Sequence, residues 1–435
     1  MAAFTKMLSV QRLRRSAIRL KKSQLAGHAL IYLVSTAVSM ALPFLLLPVF
    51  TRLLPPSELG PVVVVQGALS FFRTILTLGL RPAVLRSFIA DEPNAARRTL
   101  GGAILFSFYC TVGGAVAAAG IALLGWRPLV IPSQWLVYVI LAAGANAPLQ
   151  FYLSVLQAEG RAKRFGVIQN SATVLSAVLS VLFLLAFSGD WTSRAAGVLL
   201  GPAIAGVAAA GLAASERLLR KPNREVWRDN GALAWATVPH SAVNSFLGFA
   251  DRLFVAHYAT AAVLGLYGVA SQLCIVPFAI GLSLNNALQP WWMARLKTTR
   301  NLADWKSLRK TGVMISIGVC AFCFVYLFVV YFAIKIALPP NYGRAWHFVP
   351  VLFGASLLNI IYFQFVSPIF FYKQTKILSR IGYGNFVFTL AIMFFLADRL
   401  GAMGVAIALA ASRGFLLLWT VITTDRMVKR ELSAS

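Results

Sequence analysis

Residues 311–336 read TGVMISIGVCAFCFVYLFVVYFAIKI, and the single charged side chain among them, Lys335, stands next to the end. A helix needs about 20 predominantly apolar residues to cross the hydrocarbon core of a bilayer. The whole chain resembles this stretch, because 59% of its 435 residues are hydrophobic and 12% are charged. Soluble domains carry about 25% charged residues. The sequence therefore predicts an integral membrane protein.

Apolar stretches of this kind recur from one end of the chain to the other. Each is long enough to span a bilayer, and short polar or basic segments separate them. We predict an all-α fold with twelve transmembrane helices, near residues 27–50, 60–82, 101–124, 132–155, 166–187, 194–213, 232–256, 263–289, 311–336, 346–370, 381–397 and 400–423.

Basic residues indicate how these helices are oriented. The chain has 40 Lys and Arg against 13 Asp and Glu, a formal net charge of +27, and most of the basic residues fall in alternate connecting segments. Cytoplasmic segments collect Lys and Arg in this way, so both termini are predicted to be cytoplasmic and Arg194 is assigned to an outer loop. A nucleic-acid-binding protein would gather its basic residues on one soluble face. The expected partner is therefore the lipid bilayer and not a nucleic acid.

A weak internal repeat divides the chain into two halves. A shift of 205 residues places TRLLPPSELGPVVVVQ (51–66) over AHYATAAVLGLYGVAS (256–271) and aligns Gly60 with Gly265. Repeats of this kind occur in transporters whose binding site lies between the two copies. The predicted parts are a basic cytoplasmic N-terminal segment 1–24, an N-lobe 25–214 with helices 1–6, a cytoplasmic linker 215–231, a C-lobe 232–424 with helices 7–12, and a cytoplasmic tail 425–435.

One predicted span carries a polar stripe with an arginine near its centre. Gln66, Ser70, Arg73, Thr77 and Arg81 are spaced 4, 3, 4 and 4 residues apart, so they share one side of a helix. A charge at the centre of a membrane helix costs roughly 2.5–3.5 kcal/mol on insertion scales. Arg73 should therefore face water, an anionic ligand or a carboxylate.

Polar stripes recur on other predicted spans. Those of the fourth and fifth spans contain Asn146, Gln150, Gln169 and Ser180. A single Ser or Thr often only donates a hydrogen bond across a helix interface, but aligned stripes on several helices predict a hydrated cavity. The candidate cavity-lining residues are Arg73, Arg413, Gln66, Ser70, Thr77, Ser35, Ser39, Asn244 and Asn286.

Basic side chains outnumber acidic ones inside the predicted spans. Asp251 is the only acid clearly within one, whereas four basic residues lie within them: Arg73, Arg252, Lys335 and Arg413. Neighbouring residues diverge on a helix, so Asp251 and Arg252 are each expected to need a separate partner. They are candidates for a structural pin at the outer rim or for a coupling role.

The role of the two deep arginines remains open at this point. Arg73 and Arg413 either line the cavity and contact substrate, or form buried ion pairs with a carboxylate. Asp251 and Glu159 are the candidate carboxylates for Arg73.

Motifs for catalysis and metal binding are missing from the sequence. G-x-x-x-x-G-K-[ST] and H-E-x-x-H do not occur, and the predicted outer loops are too short to hold an active site. Cys320 and Cys323 form a C-x-x-C without a second ligand pair nearby. We therefore expect a protein that is not an enzyme and uses neither a cofactor nor a metal.

Several stretches together resemble a known family. They are LLLPVFTRLLPPSELG (45–60), leading to LGLRPAVLRSF (78–88), and ADRLFVAHYATAAVLGLYGVASQL (250–273). The sequence resembles the polysaccharide exporters, or Wzx-type oligosaccharide flippases, of the multidrug/oligosaccharidyl-lipid/polysaccharide (MOP) superfamily. The resemblance covers nearly the whole chain.

This resemblance implies two six-helix lobes in a MATE-like fold around a central cavity, in the bacterial cytoplasmic (inner) membrane. The cavity would pass the head of a polyprenyl-diphosphate-linked oligosaccharide to the outer leaflet by alternating access, for O-antigen, capsule or exopolysaccharide synthesis. The expected partners are this anionic substrate and a polysaccharide polymerase or chain-length regulator. Other exporters of the superfamily, a lipid II flippase or a multidrug cation antiporter, are the alternatives.

Overall fold

The computed structural model describes residues 31, 34–77, 79–125, 131–187, 189–372 and 374–434. Within these ranges the chain is helical apart from its connecting segments and contains no strand, so the predicted all-α fold is confirmed. The predicted N-terminal segment 1–24 lies outside the described residues, and so do the side chains of Asn244 and Asn286.

The first half of the described chain contains seven helices. They are α1 (Val34–Leu53), α2 (Pro56–Leu76), α3 (Arg81–Ala90), α4 (Pro93–Leu123), α5 (Gln134–Ala158), α6 (Ala162–Ala186) and α7 (Trp191–Ser215). Asp190 caps α7, because its carboxylate accepts the backbone N–H of Ser193 at 3.1 Å.

The second half of the described chain contains six helices and a 3₁₀ segment. They are α8 (Arg224–Tyr258), α9 (Ala261–Leu273), α10 (Ile275–Thr298), α11 (Leu302–Ala337), the 3₁₀ segment Pro340–His347, α12 (Val349–Phe371) and α13 (Thr375–Ala434). α13 consists of two helices joined at Gly401, whose φ of 57° is a left-handed conformation that glycine adopts without strain.

Ten helices of the described chain are long and apolar enough to cross a membrane, and the protein is a multi-pass membrane protein. One of the ten, Ala261–Asn285, combines α9 with the first part of α10. α13 is counted as one candidate span, although it is broken at Gly401. α8 is not one of the ten candidate spans. The count of twelve spans and the cytoplasmic position of the termini stay predictions.

The second predicted span ends earlier than expected. α2 ends at Leu76, and the chain turns through Gly79, whose φ is 64°, before α3 begins at Arg81. The prediction that Arg73 and Arg81 share one continuous helix is therefore wrong. Thr77 and Arg81 keep the four-residue spacing although the turn at Gly79 lies between them. The hydrophobic pattern of the sequence does not indicate that turn.

Helices pack within each half and meet along α2. In the first half, α7 lies against α5 and α6, and in the second half α12 lies against α10, α11 and α13. α2 contacts both α8 and α9, so it joins the halves. Apolar side chains such as Phe322, Phe328 and Ile336 are exposed along α11, which suits a surface that faces lipid. The predicted boundaries of the two lobes stay a prediction.

Two glycines allow α2 and α9 to touch. A Cβ on Gly60 would collide with the carbonyl oxygen of Ala261, and a Cβ on Gly265 would collide with that of Pro56. Membrane helices use small residues to bring their backbones this close. The two halves therefore cross with backbone against backbone.

The 3₁₀ segment joins the halves at the same end of the molecule. Its Tyr342 is fully buried, and the Tyr342 hydroxyl donates to the carbonyl oxygen of Leu54, at the end of α1, at 2.8 Å. The ion pairs of the described chain, in contrast, each lie within one half.

Candidate functional site

A cavity of about 480 Å³ lies inside the first half, between α1, α2, α5, α6 and α7. Its polar lining residues are Thr36, Ser39, Gln66, Arg73, Arg81, Asn146, Gln150, Gln169, Thr173, Ser176, Ser180 and Arg194. A second cavity of about 430 Å³ shares Arg73, Arg81 and Gln150 with the first and extends to Ser241 of α8. The two cavities form a polar path from the first half toward the second.

Arginines supply the charge of this path. Arg73, Arg81 and Arg194 line the cavities, and none of the lining residues in the described chain is an Asp or Glu. No carboxylate of the described chain lies within 4.0 Å of these guanidinium groups. Glu159 instead pairs with Arg161 at 3.2 Å, so it does not hold Arg73. The cavities are therefore suited to an anion.

Amide side chains occupy the middle of the first cavity. Asn146 is fully buried, and its Nδ2 donates to the carbonyl oxygen of Pro202 at 2.9 Å while its Oδ1 accepts from Gln150 at 3.2 Å. The Oε1 of Gln169 is buried and has no hydrogen-bond partner among the described residues. An unpaired buried acceptor costs about 1–3 kcal/mol, and a hydroxyl group of a ligand would satisfy it.

A second polar cluster lies in the other half. The Asp251 carboxylate is 6% exposed and accepts from the Tyr267 hydroxyl at 3.0 Å. Arg413 of α13 is half-buried, and the groups that act on it electrostatically are Asp251 and Tyr362. No carboxylate of the described chain comes within 4.0 Å of the Arg413 guanidinium.

Asp251 and Arg252 each have the separate partner that was expected, because Asp251 accepts from Tyr267 and the Arg252 guanidinium donates to the carbonyl oxygen of Gly248, but Arg252 also contacts Asp251 itself. Its Nη1 lies 3.4 Å from the Asp251 carboxylate, and its backbone N–H donates to the same carboxylate at 2.8 Å. The Cβ atoms of neighbouring residues point in different directions on a helix, but the long arginine side chain bends back far enough to reach its neighbour.

The family model described as a polysaccharide biosynthesis protein matches residues 25–296, more than half of the chain. The chain belongs to this family. The resemblance that the sequence alone indicated is thereby confirmed.

The chain is also similar to a curated sequence and to solved structures. An "Uncharacterized membrane protein" of Haemophilus influenzae is 25% identical over 393 residues, which are 86% of this chain and 93% of the relative. The lipid II flippase MurJ in an inward closed conformation has a TM-score of 0.71 at 13% identity, covering 93% of this chain and 91% of MurJ. An inward-facing MATE multidrug resistance transporter of the MOP superfamily has a TM-score of 0.66 at 14% identity, covering 93% and 95% of the two chains. This family member therefore has a MATE-like fold.

Four of the predicted cavity residues line the cavities. Gln66, Arg73 and Ser39 line the first cavity and Thr77 lines the second. The Ser39 hydroxyl donates to Asn170 at 2.7 Å, and the Thr77 hydroxyl donates to the carbonyl oxygen of Arg73 at 3.0 Å. Gln66 and Arg73 are thus the two whose side-chain polar groups have no hydrogen-bond partner in the described chain.

Three other predicted residues lie elsewhere. Ser70 is exposed and Ser35 is buried against Gly166 of α6, and neither lines the two cavities. Arg413 belongs to the cluster around Asp251 in the second half. The roles proposed for Asn244 and Asn286 concern side chains outside the described residues.

Arg194 is a cavity residue that sequence reasoning missed. It lies in α7 and is 3% exposed, so its assignment to an outer loop is wrong. Arg81 also lines both cavities, from the first residue of α3 and not from the same helix as Arg73. The four-residue spacing of Asn146 and Gln150 did indicate that they share one face of a helix. No comparable spacing in the sequence around Arg194 indicates that it lines the cavity.

Proposed function

We propose that this protein moves a polyprenyl-diphosphate-linked oligosaccharide from the inner to the outer leaflet of the bacterial cytoplasmic membrane, for the synthesis of O-antigen, capsule or exopolysaccharide. The observation that carries the proposal is the cavity lined by Arg73, Arg81 and Arg194 without a carboxylate among the described lining residues. Membership of the polysaccharide biosynthesis protein family supports it.

The chemistry of the cavity matches both parts of such a head group. A diphosphate cannot enter hydrocarbon alone. An arginine whose charge lies 4 Å from a negative charge stabilises it by about 4 kcal/mol at an effective dielectric constant near 20. The hydroxyl groups of the sugars need hydrogen-bond partners once water is removed. Gln66, Gln150 and Gln169 provide such partners, while the polyprenyl tail stays in the bilayer.

Alternating access is the mechanism that we propose. The crossing of Gly60 with Ala261 brings the two halves into contact at the end of the bundle that is predicted to face outward, and the substrate head would enter from the opposite end. Outward movement of an anion is favoured by roughly 2.3 kcal/mol per charge per 100 mV when the cell interior is negative. Net flux therefore requires no nucleotide.

A lipid II flippase is the second candidate function. The likeness to MurJ, with a TM-score of 0.71, favours it, and its substrate would meet the same arginines. A multidrug cation antiporter fits less well, because a cationic drug needs carboxylates and the described lining residues include none.

The experiment that tests the proposal is Arg73→Ala in a host that makes its own surface polysaccharide. We expect surface polysaccharide to fall and the lipid-linked precursor to accumulate on the inner leaflet, with peptidoglycan synthesis unchanged. Arg52→Ala, an exposed arginine of α1, is the matched control. If Arg73→Ala inserts at the wild-type level and both readouts stay normal, the proposed role of Arg73 is wrong; an effect on peptidoglycan instead would favour the lipid II substrate.

A further inference from the structure

Arg194 is buried in the first cavity, where Tyr342 is the described group that acts on it electrostatically. Its side chain is 3% exposed, and neither its Nε nor its Nη1 has a hydrogen-bond partner in the described chain. Its guanidinium lies 3.8 Å from the centre of the Phe50 ring. A cation gains from the face of an aromatic ring, more so when it is desolvated, but the ring leaves the N–H donors of the guanidinium unsatisfied.

The nearby carboxylates serve the start of α7 and not Arg194. Glu58 accepts the backbone N–H of Trp191 at 3.0 Å, and Asp190 accepts that of Ser193 at 3.1 Å. Neither lies within 4.0 Å of the Arg194 guanidinium. The charge of Arg194 is therefore uncompensated by a close carboxylate of the described chain.

Arg194 and Arg73 lie at opposite ends of the same cavity. The contact between Trp191 and Glu58 places the first turn of α7 beside the first turn of α2. Arg73 follows Glu58 by 15 residues in α2, which corresponds to about 22 Å at roughly 1.5 Å per residue. Gln169, whose Oε1 has no hydrogen-bond partner in the described chain, lines the same cavity.

We propose that Arg194 is a second oxyanion-binding residue of this cavity, at the end predicted to face outward. A phosphate-type or carboxylate-type oxyanion would accept hydrogen bonds from the free edge of the guanidinium, and a guanidinium suits such a planar, bidentate contact. This inference rests on the proposed function for the identity of the substrate: the anionic head would contact Arg73 and Arg81 first and Arg194 later, as it moves along the cavity.

Calorimetric titration of the full-length protein in lipid nanodiscs tests the inference, with inorganic pyrophosphate as one probe and glucuronate as the other. The wild type should bind pyrophosphate in two steps. Arg194→Gln should weaken one step at least about tenfold, as expected for loss of a charged hydrogen bond, and Arg73→Gln should weaken the other. A glucuronate signal that depends on Arg194 would assign the site to an acidic sugar, and a pyrophosphate signal would assign it to the carrier diphosphate.

Variants keep this test decisive. Arg52→Gln, an exposed arginine, should leave both steps unchanged. If Arg194→Gln does not fold, Arg194→Lys, which keeps a cation over Phe50, takes its place and should weaken the same step by at least about threefold because it loses the bidentate contact. Binding of both probes at wild-type affinity by the folded variant would overturn the proposal. The binding measurement does not depend on the polysaccharide assay. The proposed oxyanion contact of Arg194 and the proposed export of polysaccharide can therefore fail separately.

Discussion

Gly60 and Gly265 lie against each other where the two halves cross, and a Cβ built on Gly265 would stand 3.2 Å from the backbone nitrogen of Gly60. The same two glycines align when the sequence is shifted by 205 residues. Corresponding positions of the two halves therefore form one contact, as expected if the halves are related by a pseudo-two-fold axis.

Gly60→Ala should destabilise this crossing, because the new methyl group would collide with the carbonyl oxygen of Ala261. Overpacking of this kind costs about 1–3 kcal/mol, and we expect a lower Tm in detergent. Gly120→Ala in α4 is the control, since a Cβ there meets no atom within 4 Å. Equal Tm values for the two variants would show that the close approach does not contribute to stability.

Gln169→Leu should separate function from stability. It removes a buried amide oxygen that has no partner in the described chain, so the Tm should stay the same or rise. Export of polysaccharide should nevertheless fall severalfold if that oxygen accepts a hydrogen bond from the substrate. Gln134→Leu, at an exposed position of α5, is the control, and normal export by Gln169→Leu would contradict a substrate contact.

Asp251 should act as a structural pin of the second half. Asp251→Asn and Tyr267→Phe each disturb the hydrogen bond of 3.0 Å between the two side chains, and hydrogen bonds to charged groups contribute about 1.5–3 kcal/mol. We expect both single variants to lower the Tm and the double variant to lower it by less than the sum. Asp251→Asn that retains the wild-type Tm but loses export would indicate a coupling role instead.

Asp425 should fasten the beginning of α11 to the end of α13. Its carboxylate accepts from the Trp305 indole at 2.8 Å and lies 3.1 Å from both Arg309 and Lys429. Asp425→Asn should lower the Tm, because three interactions weaken together. Asp398→Asn, an exposed acid of the same helix, should leave the Tm unchanged, and the prediction is wrong if both variants behave alike.

The membrane class, the helical fold and the glycine repeat could be predicted from the sequence, because each depends on long-range patterns of hydropathy or spacing. The cavity residues on α2 and α5 were predictable for the same reason, since Gln66, Arg73, Asn146 and Gln150 repeat at helical intervals. These patterns extend over several turns and survive local irregularities.

Three features depended on tertiary structure and escaped the sequence. Arg81 lies in a different helix from Arg73, because the chain turns at Gly79. Arg194 lines the cavity because α7 packs beside Phe50, a residue that is distant in the sequence. Arg252 turned back to Asp251 through side-chain torsions that no spacing encodes.

The contacts between the halves bear on the proposed alternation between closed and open forms. The halves meet through glycine backbones, through ring contacts such as that of Phe71 with Phe246, and through the hydrogen bonds from Tyr342 to Leu54 and from Gln272 to Pro43. Every ion pair of the described chain, in contrast, stays within one half. Salt screens exposed charges within about 8–10 Å at physiological ionic strength, but it has little effect on apolar contact. The balance between closed and open forms should therefore respond to the thickness and composition of the bilayer far more than to the ionic strength on either side of it.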